Sequence, residues 1–240
     1  MIHKFKTTLG YLALCLMCHV QTYAQGNLPS PYSTVDGKVS ISQFKTMDQP
    51  DTAEGIFLNA LLYVVSHQER DEDGNLPTME VDYDKHKFVT NAVFTNPKTS
   101  SVYKCVFSVL VSDNIITTMM SSISYESEVA VVKLAKHLAF EKLRIDKKPQ
   151  HKQYLTEFAS LTENYIDELV AYITSNTPPT VTHYQEIKNG RVVKGMTEAE
   201  CLMSVGNPVT VYNEGEKYHW IYDSYTHIFI KDGIVVSVIN

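Results

Sequence analysis

Between Met79 and Tyr125 the chain carries four strand-like runs in succession, Met79–Tyr83, Lys87–Phe94, Ser101–Val111 and Ile115–Tyr125. Only turn material separates them: Asp84-Lys85, Asn96-Pro97-Lys98 and Ser112-Asp113-Asn114. Parallel neighbours need a crossover of a dozen residues or more, so runs joined this tightly pair antiparallel, as a meander. Such a sheet needs a cover, and helical spacing supplies one on either side. Ala53, Ile56, Phe57, Ala60, Leu61 and Val64 follow a capping-box-like start at Asp51-Thr52-Ala53-Glu54 and predict a helix ending near His67. Tyr154, Phe158, Leu161, Tyr165, Leu169 and Tyr172 form a second stripe to about Ser175, read as core. A helix is also expected over 127–143, from Val132, Ala135, Leu138 and Ala139. With a strand at Lys38–Phe44 the order is β-α-β-β-β-β-α-α, a sheet layered with helices.

Asn176-Thr177-Pro178-Pro179-Thr180 then stops the helix and stiffens the chain beyond it, which predicts a boundary. The expected fold class is α+β, with two small domains that are each an antiparallel sheet packed with helices. The first spans 37–176 after a leader over 25–36, the linker is 177–180, and the second spans 181–240.

In the second unit Thr197-Glu198-Ala199-Glu200 is a capping box, Gly206 stands where a helix ends, and Pro208 prevents continuation. One short helix is therefore expected before the strand-like runs Val209–Tyr212, Lys217–Tyr222, Thr226–Lys231 and Ile234–Ile239. Asp232-Gly233 marks a tight hairpin between the last two. Gly195-Met196-Thr197, Glu200, Gly206-Asn207-Pro208, Trp220-Ile221-Tyr222, Phe229 and Asp232-Gly233 together resemble the domain shared by BamE (SmpA/OmlA) and β-lactamase-inhibitory proteins. The resemblance covers about the last fifth of the chain. It implies a module that offers a sheet face and loops to protein partners and holds no catalytic residues. The first unit, through its order of elements, Tyr103-Lys104-Cys105-Val106-Phe107 and Tyr154–Tyr165, resembles an uncharacterised secreted bacterial family with a TATA-box-binding-protein-like fold.

Residues 1–24 read as a secretory signal: Lys4 and Lys6 without an acid, an uncharged apolar run from Leu9 to Cys18, and Thr22-Tyr23-Ala24 before Gln25. The run is too short to span a bilayer, which takes roughly 20 apolar residues, so no integral membrane insertion is expected after cleavage. Cys15 follows Leu14 and Cys18 follows Met17, with no small residue before either, so lipidation is not expected. The predicted location is periplasmic or secreted. Setting the signal aside leaves 19 basic against 27 acidic side chains. That balance excludes a basic nucleic-acid footprint. Cys105 and Cys201 would remain; in an oxidising compartment they could pair, but their settings favour two buried thiols.

Chemistry-bearing patterns are sparse. Glu69, Asp71 and Asp73, with Gly74 and then Glu80, resemble an EF-hand-type calcium loop, and a solvated acidic turn is the competing reading. Asp82, Asp84 and His86 form a second cluster, read as a solvent face. His137 and Glu141 stand one helical turn apart in the helix expected over 127–143. There is no GxSxG, P-loop or GxGxxG. Tyr218, Trp220 and Tyr222 alternate onto one face of a strand with Tyr225 close by, either as core or as an exposed surface for a protein partner. The function expected is a non-enzymatic protein-interaction module at the cell envelope without a required cofactor. The alternatives are a small-molecule or calcium-binding module, and a hydrolase with a dispersed site.

Overall fold

The computed structural model describes residues 28, 30–47, 52–68, 76–128, 135–143, 148–176, 181–213 and 215–240. The expected signal over 1–24, the expected linker 177–180 and the acidic loop positions 69–75 lie outside them. The first unit runs β1 (Tyr32–Val35), β2 (Lys38–Thr46), α1 (Ala53–His67), β3 (Met79–Asp82), β4 (Lys87–Thr95), β5 (Val102–Ser112), β6 (Ile115–Glu128), β7 (Ala135–Ala139), a 3-10 turn (Phe140–Lys142) and α2 (Pro149–Ser175). Its strands form one antiparallel sheet in the order β1-β2-β6-β5-β4-β3, and β7 also pairs with β6. The fold is α+β.

Period-two alternation decides which face is covered. Phe88, Ala92 and Phe94 on β4 and Tyr103, Cys105, Phe107 and Val109 on β5 are buried. Their neighbours Lys87, Asn91, Lys104 and Ser108 point the other way, among half-buried valines and Leu110. Helix α1 fills the covered side. Its cap is Thr52, whose Oγ1 accepts from the Gly55 amide at 3.0 Å, one residue past the expected Asp51. Burial goes beyond the apolar stripe, because Leu58, Asn59, Leu62, Tyr63 and Val65 are enclosed as well. The cause is a partner on each flank: α1 packs against β5, α2 and a helix of the second unit. On α2 the enclosed row is Leu155, Phe158, Ile166, Leu169 and Ile173, and Tyr154, Leu161, Tyr165 and Tyr172 flank it half-buried.

The helix expected over 127–143 is absent from the described part of that span. β2 pairs with β6 only as far as Met120, so the backbone groups beyond it need another partner. β7 supplies one, aligning Ala139 with Ser124 and Ala135 with Glu128. Pairing outweighs a weak helical spacing, and Phe140 turns into the core at 1% exposure.

The second unit is α3 (Tyr184–Lys188), α4 (Glu198–Val205), β8 (Thr210–Asn213), β9 (Lys217–Ile221), β10 (His227–Lys231) and β11 (Ile234–Ile239), with sheet order β11-β10-β9-β8. Two short helices precede this sheet where the sequence predicts one. Five residues are too few to show a helical period, and α3 holds its place through Ile187, which is buried. Asp232 and Gly233 adopt φ of 53° and 74°, the left-handed pair of a two-residue hairpin.

The two units touch. Asn207 brackets Leu76: Asn207 Nδ2 donates to the Leu76 carbonyl at 2.5 Å, and the Leu76 amide donates to Asn207 Oδ1 at 3.1 Å. Tyr83 donates its hydroxyl to the Met203 carbonyl at 2.8 Å, and Lys188 pairs with Asp84 at 2.7 Å. Helix α4 lies along α1, with a shallow hollow between them lined by Val65, Ser66, Glu198, Ala199 and Leu202. No described helix is long and apolar enough to cross a membrane.

Candidate functional site

Helix α4 fixes which side of the second sheet is core. Both halves of the capping box form: the Glu200 amide donates to Thr197 Oγ1 at 3.1 Å, and the Thr197 amide donates to Glu200 Oε2 at 2.9 Å. The Glu200 carboxylate is 3% exposed and also accepts from the Thr182 amide at 2.7 Å, the Thr182 hydroxyl at 3.1 Å and the His183 amide at 3.2 Å. His183 Nδ1 stands 3.2 Å from its other oxygen. Burial alone would raise this carboxyl's pKa. The hydrogen bonds from Thr197, Thr182 and His183 outweigh it and hold the group below the ordinary glutamate range. Glu200 thus ties the approach to α3 onto the start of α4. The Gly195 amide donates to the Val235 carbonyl and the Glu198 amide to the Gly233 carbonyl, each at 2.9 Å, which lays α4 against the hairpin.

Of the four aromatic residues read as either core or partner surface, three face this helix. Trp220 is 3% exposed, packed with Ile228, Ile230 and Val235 in the core, and Tyr218 is half-buried beside it. Tyr222 donates its hydroxyl to the Gly206 carbonyl at 2.8 Å and lies 3.9 Å from the Cys201 sulfur. Burial pushes the Tyr222 hydroxyl well up and the Cys201 thiol to about 12. Cys105 is likewise raised to about 12 by burial, and both cysteines are free thiols. Trp220 is therefore a core residue and cannot offer a partner its ring. Tyr225 alone of the four is open, at 79% exposure, in a turn that Asp223 closes by accepting from the Tyr225 and Thr226 amides at 2.7 Å.

The opposite face is the one that no described helix covers. Register places Tyr212 on β8, His219 on β9, Phe229 on β10 and Ser237 on β11 in one row. Ile221, His227 and Ile239 make the next. The rings stack across the strands: His219 lies 4.4 Å from Phe229 with planes 10° apart, 5.1 Å from His227 and 5.8 Å from Tyr212. His219 Nε2 and His227 Nδ1 share a hydrogen bond of 2.9 Å. Tyr212 and Ile239 are each 54% exposed, and edge strand β8 is exposed along its whole length. Sequence reading missed this face because alternation within β9 shows two faces without saying which one the helix takes. His219, a poor core residue, was the available signal.

The other expected sites disperse. Glu69, Asp71 and Asp73 lie outside the described residues, and Glu80 is exposed on β3 opposite Val89. Among the described residues no group of three or more His, Cys, Asp and Glu side chains is gathered for a metal. β3 ends at Asp82, so Asp82 and Asp84 do not share a strand face. Asp82 pairs with Lys85 at 2.6 Å, Asp84 with Lys188, and the His86 ring packs 5.6 Å from Phe57. His137 lies on β7, and Glu141 in the following turn accepts from the Val39 amide at 3.3 Å, so the one-turn helical spacing between them does not exist.

No family profile matches the sequence, and neither does any curated protein. Among solved structures the chain is similar to a TBP-like protein from Parabacteroides distasonis, at 16% identity and a TM-score of 0.47, over 59% of this chain and 96% of that one. It is also similar to a DUF4468 family protein from Bacteroides ovatus, at 13% identity and a TM-score of 0.40, over 62% of this chain and 94% of the other. The α+β description rests on the strand order and helix placement given above.

Proposed function

We propose that this protein is a non-enzymatic, secreted or periplasmic binding module. Its second unit engages a protein partner at the cell envelope through the uncovered face of the β8–β11 sheet. The observation that carries this reading is the row Tyr212-His219-Phe229 with Ile221, His227 and Ile239 beside it, exposed at Tyr212 and Ile239 and half-buried between them. Stacked rings on a rigid sheet give large contact area at little cost in side-chain freedom, which is the chemistry interfaces favour. The adjacent exposed edge strand adds unpaired backbone groups that an extended partner segment would complete. By contrast, the open face of the first sheet intersperses its valines with Lys87, Asn91, Lys104 and Ser108, the pattern of a solvated surface. The BamE-like kinship of residues 181–240 and the TBP-like organisation of residues 37–176 belong to this same reading.

The test is recovery of partners from an envelope extract with wild-type protein and with Tyr212→Ser/Phe229→Ser. Loss of specific partners with the double variant, at unchanged circular dichroism, is the expected result. Equal recovery rejects this face.

A further inference from the structure

Independently of any protein partner, we propose that His219 and His227 form a two-imidazole site for a late first-row divalent ion, copper(II) tightest, then nickel(II) and zinc(II). Two observations and one coordination distance place the ligands. His219 Nε2 and His227 Nδ1 face each other at 2.9 Å, on neighbouring strands of an uncovered sheet face. Two nitrogens at roughly 2.0–2.1 Å stand about 3.3 Å apart on a tetrahedral zinc ion and about 2.9 Å apart as cis ligands of square-planar copper(II), so the pair changes its separation by no more than a few tenths of an ångström. The His219 ring is already held between Phe229 and Tyr212, which reduces the ordering that binding requires.

The proton balance is simple. In the unbound pair one facing nitrogen carries hydrogen and the other a lone pair. When the ion enters this neutral pair, the hydrogen-bearing ring moves its proton to its other nitrogen, and two neutral imidazoles donate with no net proton release. In acid, protons compete and affinity falls. Water completes the shell. Asp223, close enough to His227 for their charges to interact, adds negative potential, but its oxygens are engaged by Tyr225 and Thr226. Imidazole ligands and the affinity order of divalent ions give the stated preference.

Titrate the protein with copper(II), nickel(II) and zinc(II) by calorimetry, expecting copper(II) to bind tightest, and read zinc binding also by nitrogen-15 shifts of the histidine rings. One saturable site with both ring systems shifted is expected. His219→Gln and His227→Gln should each lower affinity by more than about tenfold, at unchanged fold by circular dichroism. Absence of binding at millimolar ion, or affinity unchanged in the double variant, overturns the proposal.

Discussion

Single side chains in the second unit hold its layers together, Trp220 and Glu200 among them. Truncating Trp220 to alanine removes the largest side chain between α4 and the sheet, and should cost about 3–5 kcal/mol in urea unfolding. Tyr225→Ala, at an exposed turn, should stay within about 0.5 kcal/mol of wild type. Glu200 makes a claim about pH. Its carboxyl sits below its ordinary value when folded, so its contribution is complete above that ordinary value and is lost as pH falls through the lowered one. Denaturation curves collected from neutral pH into acid should show Glu200→Gln less stable at neutrality, with a flatter acid limb than wild type. Parallel limbs would contradict the network drawn around this residue.

At the level of elements, the legible part of the sequence was local. The four meander strands, the Thr197/Glu200 box and the Asp232-Gly233 hairpin rest on contacts within a few residues, and the structure places them where spacing does. Gly233 carries a φ of +74° with open space where a Cβ would go, so Gly233→Ala should cost about 1 kcal/mol from backbone conformation alone, measurable by thermal unfolding. Non-local pairing is the part that spacing could not show. β7 exists because β6 outruns β2, a fact about two strands some 80 residues apart. The side of the β8–β11 sheet that α4 covers likewise depends on the hydrogen bonds to Gly233 and Val235 and not on the alternation of β9. Choosing between the two faces of that strand was therefore open in sequence and closed by docking.

Across the whole molecule the two units share one continuous set of buried apolar residues, although the chain between them is marked by adjacent prolines. Asn207, part of the segment that carries the BamE-like resemblance, spends its amide on Leu76 of the other unit. Asn207→Ala strands a backbone donor and acceptor. It should destabilise by about 1–3 kcal/mol and speed hydrogen exchange at the Leu76 amide. With α4 committed to both α1 and the inner sheet face, the outer face of the second sheet is, among the described residues, a broad aromatic surface that the proposed partner would meet. A photo-crosslinking amino acid placed at position 212, and as a control at position 108 on the open face of the first sheet, tests that claim most directly in cells producing the full chain. A discrete protein adduct from position 212 and none from 108 is the predicted result; adducts from 108 alone, or none from 212, would contradict it.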